Sequence, residues 1–278
     1  MTLSIITINY NNRDGLQRTI DSVVGQSFTD YEWIVIDGGS SDGSRELIEQ
    51  YQNCFVYWCS EPDKGIYNAM NKGIGHAKGD WFLFLNSGDW LYDSDVLQKV
   101  FSDLSDADLL YGDVMYHWPD SRGLELDKKP ENLSLYFFYK DTLCHQATFY
   151  RKGIFDNHKY NEDFRICADW ALYIQLLQEG YRFKHLTFCV ANFAQDGIST
   201  HLDEAHLAER QKVLNEYFPE YILPDMEELK RQEEFKKYIN SHKTYAFIMN
   251  RASKQITRIE KIIRFIEKCK GFTNCFFL

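Results

Sequence analysis

Apolar residues come in short runs that polar clusters cut off. The first run, residues 3–8, is stopped by the polar stretch 9–14, after which Leu16, Ile20, Val23 and Val24 recur at helical spacing. Strand, loop and helix follow from that pattern. It repeats: residues 33–36 read as a second strand, 37–44 as its polar exit loop, and 45–51 as a helix with Asp42 or Ser44 as N-cap. Residues 55–59 predict a third strand, 66–76 a helix and 81–85 a fourth strand. Alternation of this kind implies a mostly parallel sheet with helices on its faces. Ligands then bind outside the carboxyl ends of the strands, where the polar clusters fall. Beyond residue 95 the rhythm loosens. Helices are expected at 97–104 and 170–177, strands at 109–116, 144–150 and 182–192, and a polar loop at 123–132. Residues 203–218 and 225–270 read as helical, punctuated by Pro219 and Pro224.

Composition places the chain among globular proteins. Of 278 residues, 44% are hydrophobic and 16% aromatic, which supports a sizeable core without covalent staples and excludes disordered and fibrous classes. A net charge of -10 argues against a surface that coats nucleic acid, because such binding depends on neutralising phosphates. The charge is split: residues 241–278 hold eight Lys or Arg against Glu260 and Glu267, a net of +6, leaving -16 on the first 240. Seven scattered cysteines without a CxxC pair suggest a reducing compartment. With no basic leader region and no run of about 18 apolar residues, a cytoplasmic location is expected.

Candidate chemistry collects in the polar clusters. Asp37 ends a buried strand and precedes two glycines, a setting that suits a base or ribose and equally suits an ordinary exit loop. Asp63 and Lys64 enter a helix carrying Asn68, Asn71 and Lys72, groups suited to an anionic ligand or to a solvated helix face. Residues 81–85 deliver Asn86 and Asp89 to a strand end, where oxygen ligands suit Mg2+ or Mn2+ that also takes phosphate oxygens; an Asx-type turn is the plainer reading. Asp169 opens a helix as a cap would. His145, and His201 or His206 as a metal ligand, are single-residue signals.

Taken in order, residues 4–11, 35–44, 63–73 and 79–89 resemble the GT-A nucleotide-diphospho-sugar transferases, most closely the glycosyltransferase family 2 enzymes of bacterial capsule, O-antigen and exopolysaccharide assembly. The match covers roughly residues 3–200. The resemblance implies an α/β GT-A domain over 1–222, with a nucleotide-sugar half (1–95) and an acceptor half (96–222), and a helical extension over 223–278. It implies that Thr7, Asn9 and Asp37 line the nucleotide pocket of a UDP- or GDP-linked donor. Asp63, Lys64, Asn71, Lys72 and Asn86 would approach the diphosphate and donor sugar, and Asp89, with His201 as a possible helper, would hold the metal. Asp169 matches the catalytic base of an inverting transfer, although Ala168 stands where the family usually has Glu; His145 and Gln146 would touch the glycan acceptor. The stretch Asn86-Ser-Gly-Asp89 lacks two of the family's frequent carboxylates. A sugar-phosphate nucleotidyltransferase, which would carry a Gly-rich loop after the first strand, and a non-catalytic nucleotide-sugar binder are the alternatives.

In the tail, Ile248, Ala252, Ile256, Ile259, Ile263 and Ile266 share one helical face, with Arg251, Lys254, Arg258, Lys261 and Lys268 roughly opposite. Such a helix suits an anionic membrane surface, peripheral on the inner face of the cell membrane and near a lipid-linked acceptor; packing on the core or homodimerisation suits it equally.

Overall fold

Strands β1 (Leu3–Asn9) and β2 (Tyr31–Asp37) are buried along nearly their whole length, because both faces of the sheet they form are covered. They belong to a computed structural model that describes residues 1–102, 106–194 and 204–241, in two units, Met1–Pro219 and Glu220–Leu278. The first unit is built on a sheet with nine strands among the described residues. Besides β1 and β2 these are β3 (Tyr57–Ser60), β4 (Trp81–Phe84), β5 (Trp90–Leu91), β6 (Leu109–His117), β7 (Leu124–Asp127), β8 (Thr148–Arg151) and β9 (Phe183–Ala194). Their order is β3-β2-β1-β4-β8-β6-β9-β5, with β7 paired to β6.

The amino-terminal half meets the expectation of a parallel sheet: β3, β2, β1 and β4 run the same way. Helix α1 (Arg13–Val24) buries Leu16, Thr19, Ile20 and Val23 against one face, and Val24, expected on that stripe, is exposed. Its N-cap Asn12 accepts from Gly15 N–H at 3.1 Å. Helix α2 (Ser44–Gln50) starts after Gly43, whose φ of +94° replaces the expected side-chain cap; Asp42 instead accepts from Ser44 N–H (3.1 Å). Helix α3 (Ile66–His76) lies on the opposite face, with Gly73 against Ile6 and Ile36.

The second half corrects the simple alternation. Strand β8 is antiparallel to both β4 and β6, so the sheet is mixed. The expected strand at 144–150 begins as a 3-10 turn (His145–Ala147), and the expected polar loop at 123–132 contains β7. That hairpin strand is almost wholly exposed and is defined by main-chain pairing to β6, so no burial pattern announces it. Helices α4 (Val96–Ser102), α5 (Leu135–Lys140), α6 (Ile154–Asn157), α7 (Ala168–Gln178) and α8 (Glu204–Tyr217) complete the unit. In the second unit, α9 (Leu223–Ser241) carries Pro224 in its first turn, where proline is tolerated, so this residue opens the helix. No helix among the described residues is long and apolar enough to cross a membrane.

The turn into β4 is the tightest point of the first half. Buried Glu32 accepts from Ser4 Oγ (2.6 Å), Lys78 N–H (2.5 Å) and Gly79 N–H (3.1 Å). A Cβ on Gly79 would lie 2.6 Å from Ser4 N and 2.7 Å from Leu3 C, both main-chain atoms of β1 that cannot rotate away. Gly79→Ala is expected to destabilise the chain by about 1–3 kcal/mol through overpacking. An unchanged thermal midpoint would show that β1 and the turn can part without cost.

Candidate active site

The carboxyl edge of the parallel strands carries a rank of polar side chains. Register pairs Asn9 with Asp37 and Asp37 with Ser60, so three polar groups end three adjacent strands at one level. Asp37 is fully buried and accepts from Asn9 Nδ2 (2.7 Å), Ser40 N–H (3.0 Å), Ser40 Oγ (2.5 Å) and Ser60 Oγ (2.6 Å). Its carboxylate therefore holds the crevice loops together. Asn9, 4% exposed, keeps its Oδ1 without a hydrogen-bond partner. Thr7 is not brought to this edge: it is fully buried and accepts from Trp33 Nε1 at 3.0 Å. A Cβ on Gly38 would sit 2.7 Å from Asp63 Oδ2, which shows how closely the loop carrying Asp63 approaches.

Helix α3 uses most of its expected ligand groups internally. Asn71 Nδ2 donates to Tyr160 O (2.9 Å) and Glu162 Oε1 (2.9 Å), its Oδ1 accepts from Tyr160 N–H (3.1 Å), and Asn68 Nδ2 reaches Glu162 Oε2 (2.8 Å). These amides tether the 160–162 loop. Lys72 pairs with Glu61 at 2.9 Å, a bond that holds the ammonium above its usual pKa and the carboxyl below its own. Asp63 accepts from Gly65 N–H (2.8 Å). Lys64 is exposed and its ammonium has no ion pair among the described residues.

The two halves meet in a chain of hydrogen bonds. Because β8 runs against β4, with Leu83 opposite Phe149, residues just past the end of β4 lie beside residues just before β8. Asn86 Nδ2 thus reaches His145 Nε2 at 2.9 Å, and His145 Nδ1 reaches Asp169 Oδ2 at 3.2 Å. The His145 ring thus bridges Asn86 and Asp169 through its two nitrogens. Asp169 Oδ1 accepts from Trp170 N–H (2.8 Å) and lies 3.1 Å from the Tyr67 hydroxyl, which also donates to Ile166 O (2.5 Å). Burial, then the charge of Asp169, pushes the Tyr67 phenol well above its ordinary pKa, so it stays a donor. His145 and Asp169 remain partly accessible, their side chains 18% and 15% exposed, whereas Gln146 is buried.

Neither Tyr67 nor Glu209 is distinguishable by sequence pattern, yet both hold Asp169 in place. Cys167, at the N-cap of α7, supplies no side-chain cap. Glu209 of α8 instead anchors the segment leading into the helix, accepting the N–H groups of Arg165 (2.5 Å), Ile166 (2.7 Å) and Cys167 (2.8 Å). Arg210 adds a guanidinium 4.2 Å from the Trp170 ring centre.

Asn86 to Asp89 form a turn anchored by Thr19 of α1, whose hydroxyl accepts from Gly88 N–H (3.1 Å) and lies 2.7 Å from Asp89 O. Gly88 has a φ of +104°, a conformation that favours glycine. Asp89 is buried and Asn86 Oδ1 has no partner. Among the described residues no three His, Cys, Asp or Glu side chains gather as a metal cage. One carboxylate and an orphaned amide oxygen instead fit a hard cation that keeps waters and is completed by substrate phosphates. His201 lies outside the described residues, and His206 falls in the first turn of α8.

Replacing Glu209 by Ala leaves three N–H groups of the segment leading into α7 without their acceptor. The expected cost is about 1–3 kcal/mol, with Glu209→Gln milder. Thermal melts check this, and a wild-type midpoint in Glu209→Ala would mean that water serves these N–H groups equally well.

Comparison with known proteins agrees with this architecture. The family model for glycosyl transferase family 2 matches residues 4–179. A PGL/p-HBAD biosynthesis glycosyltransferase of Mycobacterium bovis BCG is 33% identical over 179 residues, covering 60% of this chain and 66% of that relative, just under two thirds of its length. The putative teichuronic acid biosynthesis glycosyltransferase TuaG of Bacillus subtilis is 28% identical over 203 residues, covering 69% and 78%. Among solved structures, S. aureus TarS 1-349 in complex with UDP-GlcNAc superposes with a TM-score of 0.61 at 17% identity, covering 80% of this chain and 69% of that one. A mannosyltransferase from Pyrobaculum calidifontis in complex with GDP-Man and Mn2+ gives 0.55 at 15% identity, covering 81% and 68%. These last two likenesses establish the GT-A fold, and with the family model spanning well over half of its length, the chain belongs to glycosyl transferase family 2.

Proposed function

We propose that the chain transfers a sugar, with inversion, from a nucleotide-diphospho-sugar to a glycan acceptor carried on a lipid, in the assembly of a cell-surface polysaccharide. One observation carries the reading: the Asn86–His145–Asp169 chain joins a partly accessible carboxylate to the edge of the polar crevice. The relatives named for glycolipid and teichuronic acid synthesis, and the neighbours holding UDP-GlcNAc and GDP-Man, support the donor and acceptor classes. The glycine run of a nucleotidyltransferase is missing from residues 9–14.

In this mechanism Asp169 takes the proton of the acceptor hydroxyl as that oxygen attacks the anomeric carbon and the nucleoside diphosphate leaves. His145 Nδ1 and the N–H of Trp170 aim its carboxylate. Asn9 Oδ1 offers an acceptor to the nucleotide, while exposed Lys64, and Lys72 once released from Glu61, face the diphosphate. Asp89 and Asn86 Oδ1 would hold Mn2+ or Mg2+, which supplies charge neutralisation on the leaving diphosphate.

Slow hydrolysis of UDP- or GDP-sugars, with water replacing the acceptor, provides an assay. Asp169→Asn is expected to lower its kcat by about 100- to 10,000-fold, the usual worth of a general base. Asp89→Ala should abolish stimulation by Mn2+; full activity in Asp169→Asn would remove the assignment of the base.

The amphipathic pattern of residues 248–268 supports docking on anionic lipid, although it lies outside the described residues. Reversing Arg251, Lys254, Arg258 and Lys261 to Glu in the full chain should abolish flotation with vesicles rich in anionic lipid. Equal recovery of both proteins would reject the membrane role.

A further inference from the structure

Helix α3 fastens the amino-terminal half of the first unit to the segment that carries Asp169. Asn68 and Asn71 bond to Glu162, and Asn71 also bonds to both main-chain groups of Tyr160. Asn68 Oδ1 accepts from Lys64 N–H (3.2 Å), so the loop entering α3 belongs to the same network. Tyr67, in the first turn of α3, extends that network to Asp169 itself. It is 5% exposed, its ring lies 5.3 Å from that of Tyr160, and its hydroxyl reaches Ile166 O and Asp169 Oδ1 at 2.5 and 3.1 Å. Ile166 is held in turn by Glu209 through its N–H (2.7 Å). The phenol thus spans from an anchored helix to an anchored segment.

The two carboxylate oxygens of Asp169 are not equivalent. Oδ1 accepts from Trp170 N–H (2.8 Å) and from the Tyr67 hydroxyl, and two donors use both of its lone pairs. Oδ2 meets His145 Nδ1 at 3.2 Å among the described residues, which leaves one lone pair. Since the side chain keeps 15% of its surface exposed, a hydroxyl that approaches it finds the free lone pair on Oδ2. The Tyr67 hydroxyl has one proton for two acceptors. A bond to a carboxylate is roughly twice as strong as one to a neutral carbonyl, so the proton is directed at Asp169. Once Oδ2 has taken a proton that advantage is gone. A turn of the O–H about its C–O bond, with the ring still, then redirects the donor to Ile166 O.

We infer that Tyr67 is a positioning residue of the transfer: its hydroxyl anchors Oδ1 of Asp169 and so makes Oδ2 the oxygen that takes the acceptor's proton. In that step the acceptor O–H bond breaks, its oxygen bonds to the anomeric carbon, and its proton goes to Oδ2. The bond from the anomeric carbon to the diphosphate breaks with its electron pair on the leaving group. The inference rests on the reading of Asp169 as the base, and adds the choice of oxygen and the residue that makes it. Because Tyr67 acts through Asp169, its loss falls on kcat and spares donor binding.

Donor-sugar hydrolysis and thermal melts on the full chain test it. With UDP-GlcNAc or GDP-Man and Mn2+, Tyr67→Phe, which keeps the ring, should lower kcat at least about tenfold, with KM within about threefold of wild type. Tyr111→Phe removes another buried phenol, bonded to Pro130 O and Glu131 O, and should keep the wild-type kcat. Thermal midpoints supply a readout that needs no activity. Tyr67→Phe and Asp169→Ala should each shift the midpoint, and the double variant should fall short of the summed shifts, because both changes remove the same bond. Wild type hydrolysing neither sugar, or Asp169→Asn hydrolysing at full rate, counts against the transferase reading, while the midpoints still decide whether Tyr67 anchors Asp169. Additive midpoints, a Tyr67→Phe kcat within about twofold of wild type, a KM raised as much as kcat falls, or an equal loss in Tyr111→Phe would each overturn the proposal. So would failure of Tyr67→Phe to fold, which would make the hydroxyl a requirement of the fold instead.

Discussion

Reversal of chain direction between β4 and β8 determines which polar groups meet at the crevice. Parallel strands bring only their own carboxyl ends to the crevice, which supplies Asn9, Asp37, Ser60 and Asn86. An antiparallel neighbour brings its amino end to the same edge, and that is how His145 comes to lie within 2.9 Å of Asn86 although 59 positions separate them. Asp169 then needs only a helix whose first turn faces His145. Tyr67 from one side and Glu209 from the other hold that turn in place.

Hydrogen-bond saturation explains which candidate groups are free for a ligand. A buried polar group left without a partner costs more than a typical hydrogen bond returns, so folding satisfies nearly all of them. Asp37, Asn71 and Thr7 are satisfied by their own chain, and they shape the crevice from behind. Asn9 Oδ1 and Asn86 Oδ1 are exceptions, one at the end of β1 and one just past β4. Both lie near the strand ends that form the crevice, which is why the proposed reading uses them as acceptors for a nucleotide donor group and a cation.

Much of the first half was legible because its physics is local. Continuous apolar runs identify β1, β2 and β4, and the stretch 66–76 coincides with α3. The second half was less legible because its elements are defined by partners. Strand β7 is exposed and exists through main-chain pairing, and β8 is shortened by the 3-10 turn at His145–Ala147. Among site residues, Asn71 and Lys72 have the composition of phosphate ligands, but Glu162 and Glu61 take them up. Glu209 looks like any acidic residue of a solvated helix until its distance to three N–H groups is known.

By itself the sequence determined the alternating α/β class, the family, the polar clusters that end the strands and the split of charge between residues 1–240 and 241–278. These follow from residue type and spacing along the chain, which hydrophobic burial and strand direction convert into structure without further information. Only the tertiary structure decided which polar groups face each other. It assigned His145 to Asp169, turned Thr7 into the core and tied Lys72 to Glu61. Those outcomes depend on distances of a few ångströms between residues far apart in sequence, and hydrogen bonds and ion pairs fall off over that range.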